Sequence, residues 1–267
     1  MTDLAGIAAD LALEHGDLDR TVAAIDETAW LSATPAEGWD VRDQIGHLAF
    51  FDEQAMLAVS DPSTFTAGLS DIIEDVDGFV NRPLERTRAL APTAVLDWWR
   101  IARREMLKAF DGLDEKARIP WYGPPMSSAS FITARLMETW AHGQDIYDAL
   151  GLERESTERL RHVAHIGVRA RPNSYAARGL DLPEGMVRVD LRGPNGDIWS
   201  WGEYGDNRVS GDALDFCLVV TQRRHVADTH LLIEGPLAAE WMDIAQAFAG
   251  PPGAGRRPGQ FPKTSDR

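Results

Sequence analysis

The sequence predicts an all-α bundle in its first half and a small α+β domain in its second. Two observations carry this expectation. Apolar residues recur every three to four positions through much of residues 4–150, the period of amphipathic helices. After Gly151 the period drops to two in Met186-Val187-Arg188-Val189-Asp190-Leu191, the alternation of a half-buried strand. A chain of 267 residues can bury one large core or two modest ones, and the change of period favours two. The expected organisation is a four-helix bundle over residues 1–152, an α+β domain over 153–250, and a tail over 251–267. In that tail Pro, Gly and Arg leave little to pack, so it is expected to be mobile.

The elements follow in order. Leu4, Ile7, Leu11, Leu18, Val22 and Ile25 keep helical spacing, with Gly16 a possible break or bend. The segment Ser32 to Trp39 contains Pro35 and Gly38 and reads as a loop. Asp40 then suits the N-cap of a helix that carries His47 and closes at Asp61-Pro62. A Gly- and Asp-containing connection is expected from about Gly68 to Pro83. Pro92-Thr93 opens a helix with Val95, Trp99, Ala102, Met106 and Phe110 on one face and Gly112 past its end. A loop from Ile119 to Met126 precedes the helix of Glu138 and His142, which Gly151 closes. Four amphipathic helices with long crossovers make a bundle. In the second half a helix is expected over roughly Ser156 to Arg171. The alternating strand follows, then the turn Gly193-Pro194-Asn195-Gly196 and a second strand Ile198-Trp199-Ser200-Trp201, so the pair reads as a hairpin. Helices over Asp212 to Val220 and Leu237 to Phe248, with a short strand near Leu231 to Glu234, complete the domain.

Composition excludes several function classes. The net charge of −15 disfavours binding to a phosphate backbone, so no nucleic-acid partner is expected. Lysine is confined to Lys108, Lys116 and Lys263, and arginine supplies the remaining positive charge. The single cysteine, Cys217, rules out an internal disulfide and a cysteine-rich zinc site. It lies in the apolar run Ala213 to Val220, where it reads as a small buried hydrophobe. The start Met1-Thr2-Asp3-Leu4 lacks the features of a signal peptide, and no run is long enough to span a bilayer. A cytoplasmic location without a membrane partner is therefore expected. The chain has no HExxH, Walker-type, GxSxG or GxGxxG motif, so hydride transfer and nucleotide chemistry lack a signature.

One constellation points to chemistry. Glu138 and His142 stand at i and i+4, on one helix face and about 6 Å apart along the axis. His47, from a facing helix, would complete a set of two histidines and a carboxylate. Three protein ligands with a position left open describe a catalytic metal site. The competing reading makes His47 a core histidine bonded to backbone, and Glu138 with His142 an exposed pair. Phe50, Phe51, Leu136, Met137 and Trp140 weigh against it, because they require parts of both helices to be buried. Asp145 extends the stripe to i+7, and a buried polar stripe is costly unless its groups are paired or bound to an ion. His162 with His165, and His225 with His230, lack a convincing third ligand.

Gly38-Trp39-Asp40-Val41-Arg42-Asp43-Gln44-Ile45-Gly46-His47-Leu48 resembles the "GW-x-V-x-D-x-x-x-HL" segment of the DinB-like metal-binding helical bundle. More narrowly, it resembles the N-terminal domain of mycothiol-dependent maleylpyruvate isomerases. Glu138-Thr139-Trp140-Ala141-His142-Gly143-Gln144-Asp145 is similar to that group's "E-x-x-x-H-x-x-D" segment. Val209-Ser210-Gly211-Asp212-Ala213-Leu214-Asp215-Phe216 and Ile233-Glu234-Gly235-Pro236-Leu237-Ala238 resemble the sterol-carrier-like domain that follows in these proteins. The resemblance implies that His47, Glu138 and His142 bind a divalent metal, most often zinc, with Asp145 placed to orient an imidazole. It also implies that Arg223 or Arg224 holds the thiol cofactor or a substrate carboxylate. The chain departs from the isomerases around Trp199-Ser200-Trp201, which separates its substrate from maleylpyruvate.

The expected activity is metal-dependent isomerisation or S-transfer on a small acidic substrate, with mycothiol or a related thiol as co-substrate. The alternative is a non-catalytic carrier with a structural metal, whose second domain holds an apolar molecule among Trp199, Trp201, Phe216 and Trp241. No oligomeric state follows from the sequence.

Overall fold

The computed structural model describes residues 3–74, 83–250, 252–253 and 255–261, with the side chains of 70–74 left aside. The chain divides into two compact units, Met1–Arg154 and Glu155–Arg267. The first is helical. Its elements are α1 (Leu4–Ala23), α2 (Glu27–Trp30), α3 (Val41–Ser60), α4 (Pro62–Glu74), α5 (83–88), α6 (Pro92–Phe110) and α7 (Ser128–Leu150). Between α6 and α7 a short hairpin pairs β1 (Arg118–Ile119) with β2 (Met126–Ser127). The sequence reading had this stretch as loop throughout; two residues per strand are too few to show alternation.

Helix α3 packs against α6 and α7, and α1 packs against α7. Val41, Ile45, Leu48 and Ala49 of α3 are fully buried against Val95 and Trp99 of α6 and Ile146 of α7. Each such side chain contributes roughly 1.5–3 kcal/mol, so the bundle core stands without help from the polar residues of the site. Helix α1 runs unbroken through Gly16, unlike the bend the sequence suggested. Leu11, Leu18 and Val22 are buried on either side of it, and that burial outweighs the roughly 1 kcal/mol cost of an interior glycine.

The connection after α3 also differs from expectation. Asp61 ends α3, but its carboxylate immediately accepts hydrogen bonds from Ser63 Oγ, Thr64 N and Thr64 Oγ1 and so starts α4. These bonds lower the Asp61 pKa to about 2. Helix α4 therefore covers the first part of the expected connection, and residues 75–82 lie outside the described residues.

The start of α3 is fixed by a reciprocal cap. Asp40 accepts from Asp43 N at 2.9 Å, and Asp43 accepts from Asp40 N at 3.2 Å. Arg88 at the end of α5 clamps the same turn, donating to both Asp43 carboxylate oxygens and to Gly38 O. Gly46 faces α5 so closely that an added Cβ would overlap Thr87. At the other end of the bundle Gly151 takes φ 62° and caps α7 in the left-handed conformation.

The second unit has helices α8 (Leu160–Arg169), α9 (Arg171–Ala176), α10 (Ala213–Val220) and α11 (Pro236–Ile244). Its sheet has the order β4-β3-β5-β6, from β3 (Arg188–Arg192), β4 (Ile198–Trp201), β5 (Arg208–Asp212) and β6 (Leu232–Glu234). The hairpin is present, with Leu191 opposite Trp199, and Gly196 at φ 89° in its turn. Strand β5 was not foreseen. It lies parallel to β3, and only Val209 among its residues is buried, so its sequence has no apolar alternation to read. Gly259 N and Phe261 N donate to the Asp228 carboxylate. That stretch of the tail has partners its composition did not suggest.

His15 is nearly sealed in the bundle, 2% exposed, edge-on to Trp99 and 3.9 Å from the Asp52 carboxylate. Burial, with Arg103 and Arg135 nearby, holds its pKa well below the usual 6.5. The unfolded chain therefore takes up a proton below pH 6.5 that the folded chain refuses, and stability falls as pH drops through that value. We expect His15→Leu to narrow the difference in Tm between pH 7.5 and pH 5.5. An unchanged difference in thermal melts would show that His15 does not cause the acid sensitivity.

Candidate metal centre

Helices α3 and α7 bring His47, Glu138 and His142 together. One donor atom from each lies within 4.8 Å of the others, the only such group of three His, Cys, Asp or Glu residues among the described residues. His142 Nε2 is 3.3 Å from Glu138 Oε2, and the His47 and His142 rings lie 4.2 Å apart. The three side chains are partly exposed: His142 retains 12% and Glu138 22% of its surface. Tetrahedral bonds of 2.0–2.1 Å place neighbouring donors about 3.3–3.4 Å apart. The Glu138–His142 separation already matches that edge, and the donor set suits a divalent ion.

A partner the sequence reading missed orients the cluster. His142 Nδ1 lies 2.5 Å from Gln44 Oε1, and Gln44 is fully buried. Gln44 Nε2 donates to Thr34 Oγ1 at 3.0 Å, and Thr34 Oγ1 donates to Trp39 O at 3.0 Å. The hydroxyl proton is used on a carbonyl, so the hydroxyl can only accept from Gln44. The amide must then present its NH2 to Thr34 and its carbonyl to His142. Nδ1 is consequently the donor to Gln44, which leaves Nε2 as the nitrogen that can offer a lone pair to an ion placed between Glu138 and His47. The signal was present in the sequence, since Gln44 precedes His47 by three residues on α3. The loop that locks its amide could not be read from spacing.

That loop is tight. Thr34 N donates to Trp39 O at 2.8 Å, Val41 N to Ser32 O at 3.1 Å, and Gly38 sits at φ 78°. It lays the Trp39 ring 6.1 Å from His142, nearly parallel, and 5.3 Å from His47. Behind the site Arg135, one turn before Glu138, is drawn away into the core, where it donates to Asp52 at 2.8 Å. Burial raises the Asp52 pKa, against the pull of Arg135.

Asp145 is 1% exposed on α7, one turn beyond His142. Arg223 and Arg224 follow α10 in the second unit. Arg223 donates to Thr221 O and Arg224 to Arg223 O, both at 2.7 Å, and the Arg224 guanidinium lies 3.9 Å from the Phe261 ring centre. His165 accepts from Trp201 Nε1, and His225 caps Ala227 N. Trp199, Phe216 and Trp241 are core residues, at most 3% exposed.

The architecture defines a class: a helical bundle with a His-Glu-His cluster, joined to a small α+β unit. Residues 11–147 match the model of the mycothiol maleylpyruvate isomerase N-terminal domain, and the chain belongs to that family. Two uncharacterized proteins of Mycobacterium tuberculosis, from strains CDC 1551 and H37Rv, are each 44% identical over 257 residues, 96% of this chain and 100% of theirs. The fold is shared with the crystal structure of the mycothiol-dependent maleylpyruvate isomerase at TM-score 0.57 and 15% identity, covering 84% of this chain and 90% of that one. A histidine-to-alanine mutant of the same enzyme gives TM-score 0.56. The helix-rich first half and sheet-containing second half expected from the sequence agree with that fold.

Removing the Gln44 carbonyl should free the His142 tautomer. In Gln44→Leu we expect the Nδ1–H form of His142, dominant in the wild type, to give way to a mixture by nitrogen-detected imidazole NMR. Metal affinity should fall roughly 10–100-fold in chelator competition. An unchanged tautomer in the variant would remove Gln44 from this role.

Proposed function

We propose that His47, Glu138 and His142 hold one divalent metal, zinc as the family resemblance implies. On this reading the protein uses mycothiol or a related low-molecular-weight thiol for isomerisation or S-transfer on a small organic substrate. The observation that carries the reading is the convergence of two imidazoles and a carboxylate, from two helices, in a bundle of this family. An ion held there lowers a thiol's pKa from about 8.5, so that a sulfur nucleophile is available at neutral pH for a double bond or a leaving group.

The chain's own residues divide the remaining work. Glu138 offsets one positive charge of the ion. Gln44 leaves Nε2 of His142 free to give its lone pair to the ion, and Asp145, buried on α7 one turn beyond His142, is the candidate the resemblance implies for orienting an imidazole. Arg223 and Arg224 are the candidates for holding the thiol cofactor or an acidic group, as the resemblance implies. Reduced-thiol chemistry fits the cytoplasm, and no helix among the described residues is long and apolar enough to cross a membrane. Of the four aromatic residues on which the apolar-carrier alternative rests, Trp199, Phe216 and Trp241 fill the core of the second unit and Trp201 is half-buried.

Metal analysis and mycothiol calorimetry, with and without chelator, test the proposal. His142→Ala should lose metal and thiol binding while the apolar bundle core keeps the fold. Glu138→Gln should weaken metal affinity through the lost charge, and Asp145→Asn should cost roughly 10–100-fold. A full equivalent of tightly held metal in His142→Ala would overturn the site. Thiol binding unaffected by chelator would overturn the thiol chemistry.

A further inference from the structure

We propose that the acceptor of the thiol is a planar aromatic or conjugated electrophile, recognised by a belt of half-buried rings beside the cluster, rather than a small dicarboxylate. The inference rests on the thiol chemistry proposed above and names the substrate class of the same site.

The belt begins at the histidines. Trp39 covers both imidazoles, and Phe51 lies 4.5 Å from the His47 ring, centre to centre. From Phe51 it continues to Tyr122 at 5.7 Å and Trp121 at 6.3 Å. Trp121 is held in place by stacking on buried Phe65, 5.5 Å away with the planes 3° apart. Trp39, Phe51, Trp121 and Tyr122 all keep part of their surface exposed. Core aromatics with no other task would be buried like Trp99, so this accessible ring surface, continuous with the donor atoms, suits a flat apolar ligand.

The charges point the same way. Among the bundle arginines, Arg118 donates to the Pro125 carbonyl, and these five are matched to carboxylates: Arg42 with Asp40, Arg86 with Glu53, Arg88 with Asp43, Arg135 with Asp52 and Arg154 with Glu14. Drawing any of them to a substrate would strand its acidic partner, and Asp43 and Asp52 are fully buried. A dianion would also approach a protein of net charge −15. The bundle side of the site thus offers a continuous ring surface, while five of its arginines are committed to carboxylates.

The zinc-loaded full-length protein with mycothiol provides the test. The acceptors are 1-chloro-2,4-dinitrobenzene and, for comparison, chloroacetate and maleate. With the aryl chloride the thiol sulfur bonds the ring carbon, chloride leaves with the bonding pair, and the thiol proton passes to solvent. We expect a higher kcat/KM for the aryl chloride, relative to the uncatalysed rate, than for either acid. Trp121→Leu and Tyr122→Leu should each raise the acceptor KM about tenfold, the scale of one aromatic contact. Metal content and the thiol KM should stay near wild type. A preference for the acids, or a rise in thiol KM in place of acceptor KM, would overturn the inference. Equilibrium dialysis with unreactive 1,3-dinitrobenzene and with succinate decides the case if no acceptor turns over. Binding of the aromatic probe alone keeps this inference and faults only the thiol chemistry. Absence of that binding sinks the inference.

Discussion

Gln44 and His142 meet across the interface of α3 and α7, and the geometry of the candidate site depends on that one hydrogen bond. Both partners sit on helices whose apolar faces are fixed by the bundle core, so the contact is positioned by burial worth many times its own strength. The bond would still be ambiguous without the loop before α3. Thr34 spends its proton on the Trp39 carbonyl, which forces the Gln44 amide into one orientation. Through that chain a backbone turn of ten residues determines which imidazole nitrogen faces the cluster.

The same region shows how the fold assigns its charges. Arg88 braces the capped start of α3, and Arg135 is drawn inward to Asp52, whose carboxylate also accepts from Trp99 Nε1. Each guanidinium satisfies a buried carboxylate that would otherwise be costly. The outcome around the histidines is a surface of partly exposed rings with Glu138 as its acidic member. The arginines that stabilise the bundle are thus held by its own carboxylates.

Much of the candidate site was legible because helical periodicity fixes which residues share a face. Glu138, His142 and Asp145 follow one another along α7 by spacing alone, and Asp40 declared the start of α3. His47, on a helix expected to face them, completed the set, and the family segments around Trp39 to Leu48 and Glu138 to Asp145 agreed with it. Less of the second unit could be read. Strand β5 has one buried side chain, and its pairing with β3 comes from distant residues. Helix α4 was hidden because Gly68 and the acidic residues beyond it resemble a connection, while the cap that starts the helix is a local bonding pattern at Asp61.

The sequence by itself determined the helical first half, the hairpin, the cap of α3 and the pairing of Glu138 with His142 on one face. These depend on period, turn chemistry and capping, all of which act over a few residues. Only the tertiary structure decided that His47 reaches the same point, that Gln44 rather than a carboxylate holds His142 Nδ1, and that Trp121 and Tyr122 join the rim beside Phe51. Those contacts join residues 70 to 98 positions apart. No local pattern encodes such distances; they follow from how the buried faces of separate helices pack.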